Sequence, residues 1–161
     1  MGAGCKWSDM TETYSTQILK DEAATTHAAG LLAKQLQPGQ VIYLHGDLGA
    51  GKTTLVRGIL HALGHSGKVK SPTYTIVEPY NLSIGSCYHF DLYRFQDPEE
   101  WEAAGFRDYF NATSICMVEW PENAGTLLPI ADIEIQFDIL PHGRVLHITS
   151  QQPLSLEGLC Q

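Results

Sequence analysis

Hydrophobic positions in this chain fall into strand-like runs and helix-like repeats that alternate along the sequence. Residues 41–45 (VIYLH) form a short apolar, β-branched run and 114–118 (SICMV) a second apolar run, both typical of buried strands. Over 22–37 and 54–63 the apolar residues recur at helical spacing, and Pro38-Gly39 and Gly64 mark the predicted helix ends. This order of elements predicts an α/β fold.

The remaining pattern predicts hairpins and short helices. Strict alternation over 133–139 and 144–148 predicts two antiparallel strands joined through 141–143. Residues 76–80 and 86–90 are predicted to pair around a loop at 81–85, and 16–19 is predicted to be an edge strand. Asp97 at the N-cap and Pro98 at the first helical position predict a short helix that ends near Gly105, followed by a helical turn at 106–110.

The stretch between the strand at 41–45 and the helix at 54–63 has the form G-x-x-x-x-G-K-T, the phosphate-binding loop of nucleotide hydrolases and kinases. Its glycines allow successive N–H groups to face an anion, and the following helix adds its positive end. Lys52 supplies a charge for the β- and γ-phosphates, and the Thr53 hydroxyl is an oxygen ligand suited to Mg²⁺. The alternative is a glycine-rich turn without a ligand, which the flanking strand and helix disfavour. The predicted nucleotide-binding residues are Gly46, Asp47, Leu48, Gly49, Ala50, Gly51, Lys52, Thr53 and Thr54.

Two acidic residues follow predicted strands, at the positions where α/β proteins bind ligands. Asp91 follows the strand at 86–90 and is a candidate catalytic residue, the alternative being a helix cap. Glu119 follows the strand at 114–118, where Asp is more usual, and is predicted to hold the metal directly or through water, the alternative being an ordinary charge at a strand end. His89 lies two residues before Asp91 and is more typical of a structural residue than of a catalyst.

A cluster of hydroxyl side chains surrounds Pro72, in the segment that follows the helix at 54–63. Ser71, Thr73 and Thr75 are candidates for a switch loop that senses the γ-phosphate, as loops at this point of phosphate-loop hydrolases often do. The alternative is a solvated turn before a strand, because Ser, Thr and Pro are common loop residues.

Length, composition and charge restrict the possible functions. The chain has 161 residues, 43% hydrophobic and 17% charged, which suits one globular domain at 13–150 between a flexible tail or expression remnant at 1–12 and a C-terminal tail at 151–161. No run approaches the ~18 apolar residues of a membrane span, and there is no leader, so a cytoplasmic protein without membrane association is expected. The net charge of −8 disfavours direct capture of nucleic acid, so a role near RNA is expected to run mainly through protein partners.

Three groups of motifs together resemble the bacterial TsaE family of tRNA threonylcarbamoyladenosine biosynthesis ATPases: GDLGAGKTT at 46–54, SPTYT at 71–75 with HFDLYR at 89–94, and VEWPE at 118–122. The similarity spans roughly residues 16–148. It implies a P-loop NTPase-like three-layer sandwich with a mixed, mainly parallel central sheet and an antiparallel C-terminal hairpin. It further implies ATP as substrate, Mg²⁺ as cofactor, and the partner proteins TsaB and TsaD, of which TsaD modifies the tRNA.

The same resemblance implies roles for individual residues. Lys52 is expected to grip phosphate, and Thr53 and Glu119 to hold the metal. Asp91 is expected to be essential for hydrolysis, through the metal shell or the attacking water, and the loop at 71–75 to act as a switch. Three residues are expected on the base side of the nucleotide: Glu22, Trp120 and Glu122.

Several points stay open at the level of sequence. No Asn-Lys-x-Asp or Thr-Lys-x-Asp element is present, which favours ATP over GTP. Arg57, Arg94 and Arg107 are candidates for stabilising the transferred phosphoryl group, but no spacing aims one of them at it, so weak ATPase activity that partners stimulate is expected. A small-molecule P-loop kinase is the main alternative, although no Arg-rich lid is visible. A third possibility is a nucleotide-dependent binding module in which hydrolysis is incidental.

Overall fold

The computed structural model describes residues 6–7, 13–72 and 74–151, and within these ranges eight strands form one sheet. The strands are β1 Lys6–Trp7, β2 Thr13–Leu19, β3 Val41–His45, β4 Val77–Leu82, β5 Gly85–Asp91, β6 Ser114–Glu119, β7 Ile133–Ile139 and β8 Arg144–Ser150. The helices are α1 Glu22–Ala33, α2 Lys52–Ala62 and α3 Pro98–Ala103, with 3₁₀ turns at Phe106–Tyr109, Pro121–Asn123 and Gly125–Leu127. Within the described parts of the chain, none of the helices combines the length and apolar character that a bilayer span requires.

The sheet is mixed, in the order β1-β2-β8-β7-β3-β6-β5-β4. Its four central strands, β7, β3, β6 and β5, pair in parallel, whereas the flanking pairs, including the β7–β8 hairpin, are antiparallel. The α/β class, the mixed sheet and the C-terminal hairpin are therefore confirmed, but the expectation of a mainly parallel sheet holds only for the centre. Because parallel strands end at a common edge, β3, β5 and β6 finish together, with Glu119 in register with both Leu44 and Asp91.

Both faces of the sheet are covered, as the three-layer prediction requires. On one face α1 and α2 bury Ala28, Ala29, Leu32, Leu55, Val56 and Ile59 against Ile42, Leu44 and Ile135 of the sheet. On the other face an aromatic cluster packs on β5 and β6, built from Phe90, Phe95, Trp101 and Phe106. Each large apolar side chain buried in this way contributes about 1.5–3 kcal/mol, so both layers hold the central strands and the loops at their ends in place.

Several predicted boundaries need correction. The first helix ends at Ala33 and not near Gln37, because the amides of Gln35 and Leu36 already bond three residues back in the turn that precedes Pro38. The hairpin loop predicted at 81–85 is a two-residue turn, since β4 and β5 pair as far as Leu82 and Gly85. Gly85 has a φ of 143°, which glycine adopts easily.

The other predicted elements are close to the observed ones. The strand predicted at 16–19 begins at Thr13 and is not at the edge, because the two-residue β1 pairs with its outer side. The second helix starts at Lys52, two residues before its predicted start. Asp97 caps α3 as predicted, accepting the Glu99 amide at 2.9 Å. The predictions for residues 1–5, 8–12 and 152–161 lie outside the described residues.

Candidate phosphate-binding site

The loop between β3 and α2 is shaped by glycines with positive φ. Gly46, Gly49 and Gly51 have φ values of 143°, 78° and 115°, in the region that glycine favours. The loop also lies close to β7: a Cβ on Gly46 would lie 2.9 Å from the Phe137 carbonyl oxygen, and one on Gly51 would lie 3.3 Å from the Phe137 ring. Since Gly51 offers α2 no side-chain cap, the first amides of the helix are left for another acceptor, and an anion fits that position.

Lys52 lies at the first position of α2 and is only 4% exposed. Its Nζ donates to the Gly46 carbonyl and lies 3.8 Å from the centre of the Trp120 ring, a cation–π contact. Burial lowers the pKa of Lys52 from its ordinary value of 10.5, and the charges of Glu119, Asp91, Glu122 and Asp47 act in the opposite direction. The lysine is thus a desolvated cation, which the approach of a phosphate would stabilise.

Thr53 and Glu119, from separate elements, lie side by side. The Thr53 hydroxyl donates to Glu119 Oε2 at 3.2 Å and lies 3.5 Å from Oε1, while His89 Nε2 lies 2.6 Å from Oε2. Glu119 is 3% exposed and His89 is fully buried. A hydroxyl and a carboxylate are hard oxygen donors of the kind Mg²⁺ prefers, so this pair fits the predicted metal site.

The small number of protein donors is itself compatible with magnesium. Over residues 6–7, 13–72 and 74–151, no group of three or more His, Cys, Asp or Glu side chains is arranged to hold a metal ion. Magnesium does not need such a cage, because it keeps several waters and takes further oxygens from substrate phosphates.

Asp91 is held at the end of β5, beside the same cleft. Its Oδ2 accepts from the Ser71 hydroxyl at 3.2 Å and its Oδ1 from the Tyr93 amide at 3.0 Å. At 6% exposure the carboxylate is nearly buried. Ser71 is therefore the member of the predicted switch segment that reaches the site. Thr75 bonds instead to Glu78 at 3.1 Å, and Thr73 lies outside the described residues.

Backbone strain is concentrated around these carboxylates. Among the described residues, Ile76 and Trp120 are the non-glycine residues with positive φ, at 72° and 58°. Trp120 directly follows Glu119, and the Ile76 carbonyl accepts the Asp91 amide at 2.9 Å. Conformations of this kind cost about 1–3 kcal/mol and are kept where the surroundings impose them, often at functional sites.

Two cavities lie beside the part of the loop that leads into α2, where both are lined by Gly49, Gly51 and Thr54. A cleft of about 400 Å³, which we call the phosphate cleft, is lined by Lys52, Thr53, Ser71, Asp91, Arg94 and Glu119, among others. A second cavity of about 280 Å³ lies on the α1 side of the loop, where Glu22 and Thr25 face Gly51 and Thr54. The structure thus brings Asp91 and Glu119 together with Lys52 and Thr53, from which both acids are far apart in sequence.

Of the three residues expected on the base side of a nucleotide, Trp120 and Glu122 share a cavity and Glu22 lines a different one. Glu22 lines the cavity on the α1 side, whereas Trp120 lines both the phosphate cleft and a third cavity, which it shares with Glu122, Gly46 and Asp47. Glu22 lies 3.8 Å from Arg57, and Glu122 lies 3.8 Å from His45. Glu22 and Trp120 each share a cavity with Thr54, at the helix end of the loop.

The contacts of the three candidate arginines show which of them faces the phosphate cleft. Arg57 is paired with Glu22, and Arg107 with Glu102 on the outer surface. Arg94 lines the phosphate cleft, has no ion-pair partner among the described residues, and lies 5.1 Å from the Tyr74 ring. Of the predicted arginines, Arg94 is the one that faces the cleft.

Two residues at the site were missed or undervalued by sequence reasoning. Arg144 of β8 donates to the carbonyls of Ala50 and Gly49, at 3.2 and 3.3 Å, and turns both carbonyls toward itself. Nothing in the local sequence signals this contact, because it joins positions more than ninety residues apart. His89 had a detectable signal: it is a polar residue at an inward position of a buried strand.

A glycine loop that turns a buried strand into a helix, at the edge where parallel strands end, defines the P-loop class of α/β proteins. Within that class the chain can be placed further. The family model described as threonylcarbamoyl adenosine biosynthesis protein TsaE matches residues 19–145. The chain belongs to the TsaE family, and the resemblance seen in its motifs is confirmed.

Individual relatives agree with this assignment. The chain is 48% identical to the tRNA threonylcarbamoyladenosine biosynthesis protein TsaE of Haemophilus influenzae, over 86% of its own length and 91% of that protein. It is 41% identical to the TsaE of Bacillus subtilis, over 69% of each chain. The crystal structure of Bacillus subtilis YdiB superposes with a TM-score of 0.68 at 30% identity and covers 95% of both chains.

Proposed function

We propose that this protein is a Mg²⁺-dependent ATPase of tRNA threonylcarbamoyladenosine biosynthesis. In this role it acts as a nucleotide-driven switch on a complex of proteins related to TsaB and TsaD. The observation that carries the proposal is the convergence of Lys52, Thr53, Asp91 and Glu119 on one cleft beside a glycine loop. Membership of the TsaE family supplies the pathway.

The residues of the phosphate cleft suggest separate roles in binding the phosphates, binding the metal and orienting a water. The first amides of α2 and the Lys52 ammonium would bind the phosphates, which compensate the lysine for its lost hydration. The Thr53 hydroxyl donates its hydrogen to Glu119, so the Thr53 lone pairs stay available to a cation. Bound Mg²⁺ would supply charge neutralisation at the β- and γ-phosphates. Asp91, which accepts from Ser71 and from the Tyr93 amide, would orient a water or act through the metal shell.

Limited activity of the isolated protein is part of the proposal. Arg94 is the arginine that faces the cleft, and it rests against Tyr74 rather than on a phosphate-binding residue. An arginine that reaches the transferred phosphoryl group adds about 10³–10⁵-fold to such reactions. A partner that moves Arg94, or supplies its own arginine, would therefore stimulate hydrolysis. With a net charge of −8, the protein is expected to approach tRNA mainly through its partners.

The test is a phosphate-release assay with matched binding measurements. We expect slow Mg²⁺-dependent release from ATP by the protein alone and faster release with purified TsaB–TsaD homologues. Asp91→Asn should keep ATP affinity within about threefold and lose about 10²-fold or more in release, as expected when a positioned carboxylate is lost. Glu119→Gln should lose both Mg²⁺ dependence and release.

Other outcomes would redirect the assignment. Transfer of the γ-phosphate to an added small-molecule acceptor, with no free phosphate, would identify a kinase. Full tRNA-modifying turnover in a reconstituted system by both Asp91→Asn and Glu119→Gln would identify a binding module in which hydrolysis is incidental.

A further inference from the structure

His89 makes the shortest contact to the carboxylate of the cleft. It lies in β5 with no exposed surface, and its Nε2 is 2.6 Å from Glu119 Oε2. The same oxygen accepts the Thr53 hydroxyl at 3.2 Å. An ionised carboxylate can only accept hydrogen bonds, so the hydrogen of this contact belongs to His89 Nε2.

The other ring nitrogen of His89, Nδ1, is buried and is not satisfied by a hydrogen bond within the described residues. Burying an unpaired polar atom is unfavourable, and an apolar residue of similar volume at this position of β5 would avoid it. The contribution that only a donor can make at residue 89 is the bond to Glu119.

A glutamate at this site needs such a contact more than an aspartate would. Glu119 has one more side-chain torsion than the Asp that is more usual at this position, so its carboxylate can rotate through more orientations. With Oε2 engaged by both His89 and Thr53, Oε1 is the oxygen left for the cation or for one of its waters.

We propose that His89 is a positioning residue that fixes the Glu119 carboxylate and assigns Oε1 to the cation. The inference rests on the proposed Mg²⁺-dependent nucleotide binding. His89 itself touches neither nucleotide nor metal. Partners that orient a metal ligand from behind typically change metal affinity by roughly 10–100-fold. The Mg²⁺-dependent part of nucleotide affinity should therefore depend on a donor at residue 89, and the Mg²⁺-free part should not.

The experiment compares His89→Met, which removes the donor, with His89→Gln, whose Nε2 is a donor of similar reach. ADP binding is measured by calorimetry in Mg²⁺ and in EDTA. We expect His89→Met to bind ADP with wild-type affinity in EDTA. The increase in ADP affinity that Mg²⁺ produces should be roughly tenfold or more smaller in His89→Met than in wild type. His89→Gln should keep that gain within about threefold, as expected when the donor is retained. In a Glu119→Gln background, His89→Met should have no further effect.

The opposing outcomes are distinct. The inference would be overturned if Mg²⁺ increased the ADP affinity of His89→Met as much as that of wild type. It would also be overturned if His89→Met and His89→Gln lost this increase equally, or if the loss of ADP affinity in His89→Met persisted in EDTA. A wild-type protein without any Mg²⁺ gain would instead refute the proposed function. If His89→Met does not fold, ¹⁵N NMR of histidine-labelled wild type decides: a hydrogen on His89 Nε2 is expected, and a bare Nε2 would contradict the contact.

Discussion

The contact between α1 and α2 yields a prediction whose magnitude follows from the structure. A Cβ added to Gly58 of α2 would lie 2.6 Å from the Ala29 Cβ of α1 and 3.6 Å from the Thr26 Cα. Carbon atoms pack at about 3.5–4.0 Å, so Gly58→Ala requires the helices to separate by about 1 Å. A change of rotamer cannot relieve the clash, because both Cβ atoms are tied directly to the backbone.

Two effects of this substitution oppose each other. Alanine in place of glycine stabilises a helix interior by about 0.5–1 kcal/mol. Overpacking a filled interface costs about 1–3 kcal/mol, and a clash fixed by the backbone belongs at the upper end of that range. The net expectation for Gly58→Ala is a loss of about 2 kcal/mol in the free energy of unfolding.

Urea unfolding followed by circular dichroism measures this change, and the chain provides its own controls. A Cβ on Gly30 of α1 would have no atom within 4 Å, so Gly30→Ala should stabilise by about 0.5–1 kcal/mol. Removing the opposing methyl with Ala29→Gly should rescue part of the Gly58→Ala loss. A Gly58→Ala protein as stable as Gly30→Ala would refute the close approach of the two helices.

Three further predictions concern the site. Lys52→Met should weaken ATP binding but stabilise the nucleotide-free protein at neutral pH. Because burial lowers the pKa of Lys52, the charged lysine destabilises the fold. This destabilisation is fully present below the folded-state pKa and fades as the pH rises toward 10.5. Melting temperatures from pH 7 upward test this, and a less stable Lys52→Met would contradict it. Thr53→Ala, but not Thr53→Ser, should reduce the Mg²⁺ dependence of ADP binding, measured by titrating Mg²⁺. The same Mg²⁺ titration curve for both variants would contradict this. Arg144→Lys, which cannot hold both loop carbonyls, should lower ADP affinity about tenfold with or without Mg²⁺; unchanged affinity would show that the loop needs no such support.

The parts of the structure that follow from local sequence were predictable. Glycines of the phosphate loop, the β-branched run before it and the helical spacing after it act within about twenty residues, and the loop was located from them. The meeting of Asp91 and Glu119 was also accessible, because acids at the ends of parallel strands share one edge.

Contacts that depend on the particular order of the strands in the sheet were not predictable. Two such contacts are the hydrogen bond from His89 to Glu119 and the hydrogen bonds from Arg144 to the loop carbonyls. Predicting them requires the strand order, which no local pattern specifies. The left-handed backbone at Ile76 runs against the preference of a β-branched residue, so it is imposed by its surroundings. Grouping Glu22 with Trp120 came from family resemblance alone, and the two residues line different cavities.

The most direct test of the phosphate cleft is a crystal structure of the protein with Mg²⁺ and a non-hydrolysable ATP analogue. We expect the phosphates on the amides of residues 46–54, the Lys52 ammonium on the β- and γ-phosphates, and the cation between Thr53 Oγ1 and Glu119 Oε1. A nucleotide bound elsewhere, or a Glu119 carboxylate turned away from the cation, would contradict the assignment of this cleft as the ATP site.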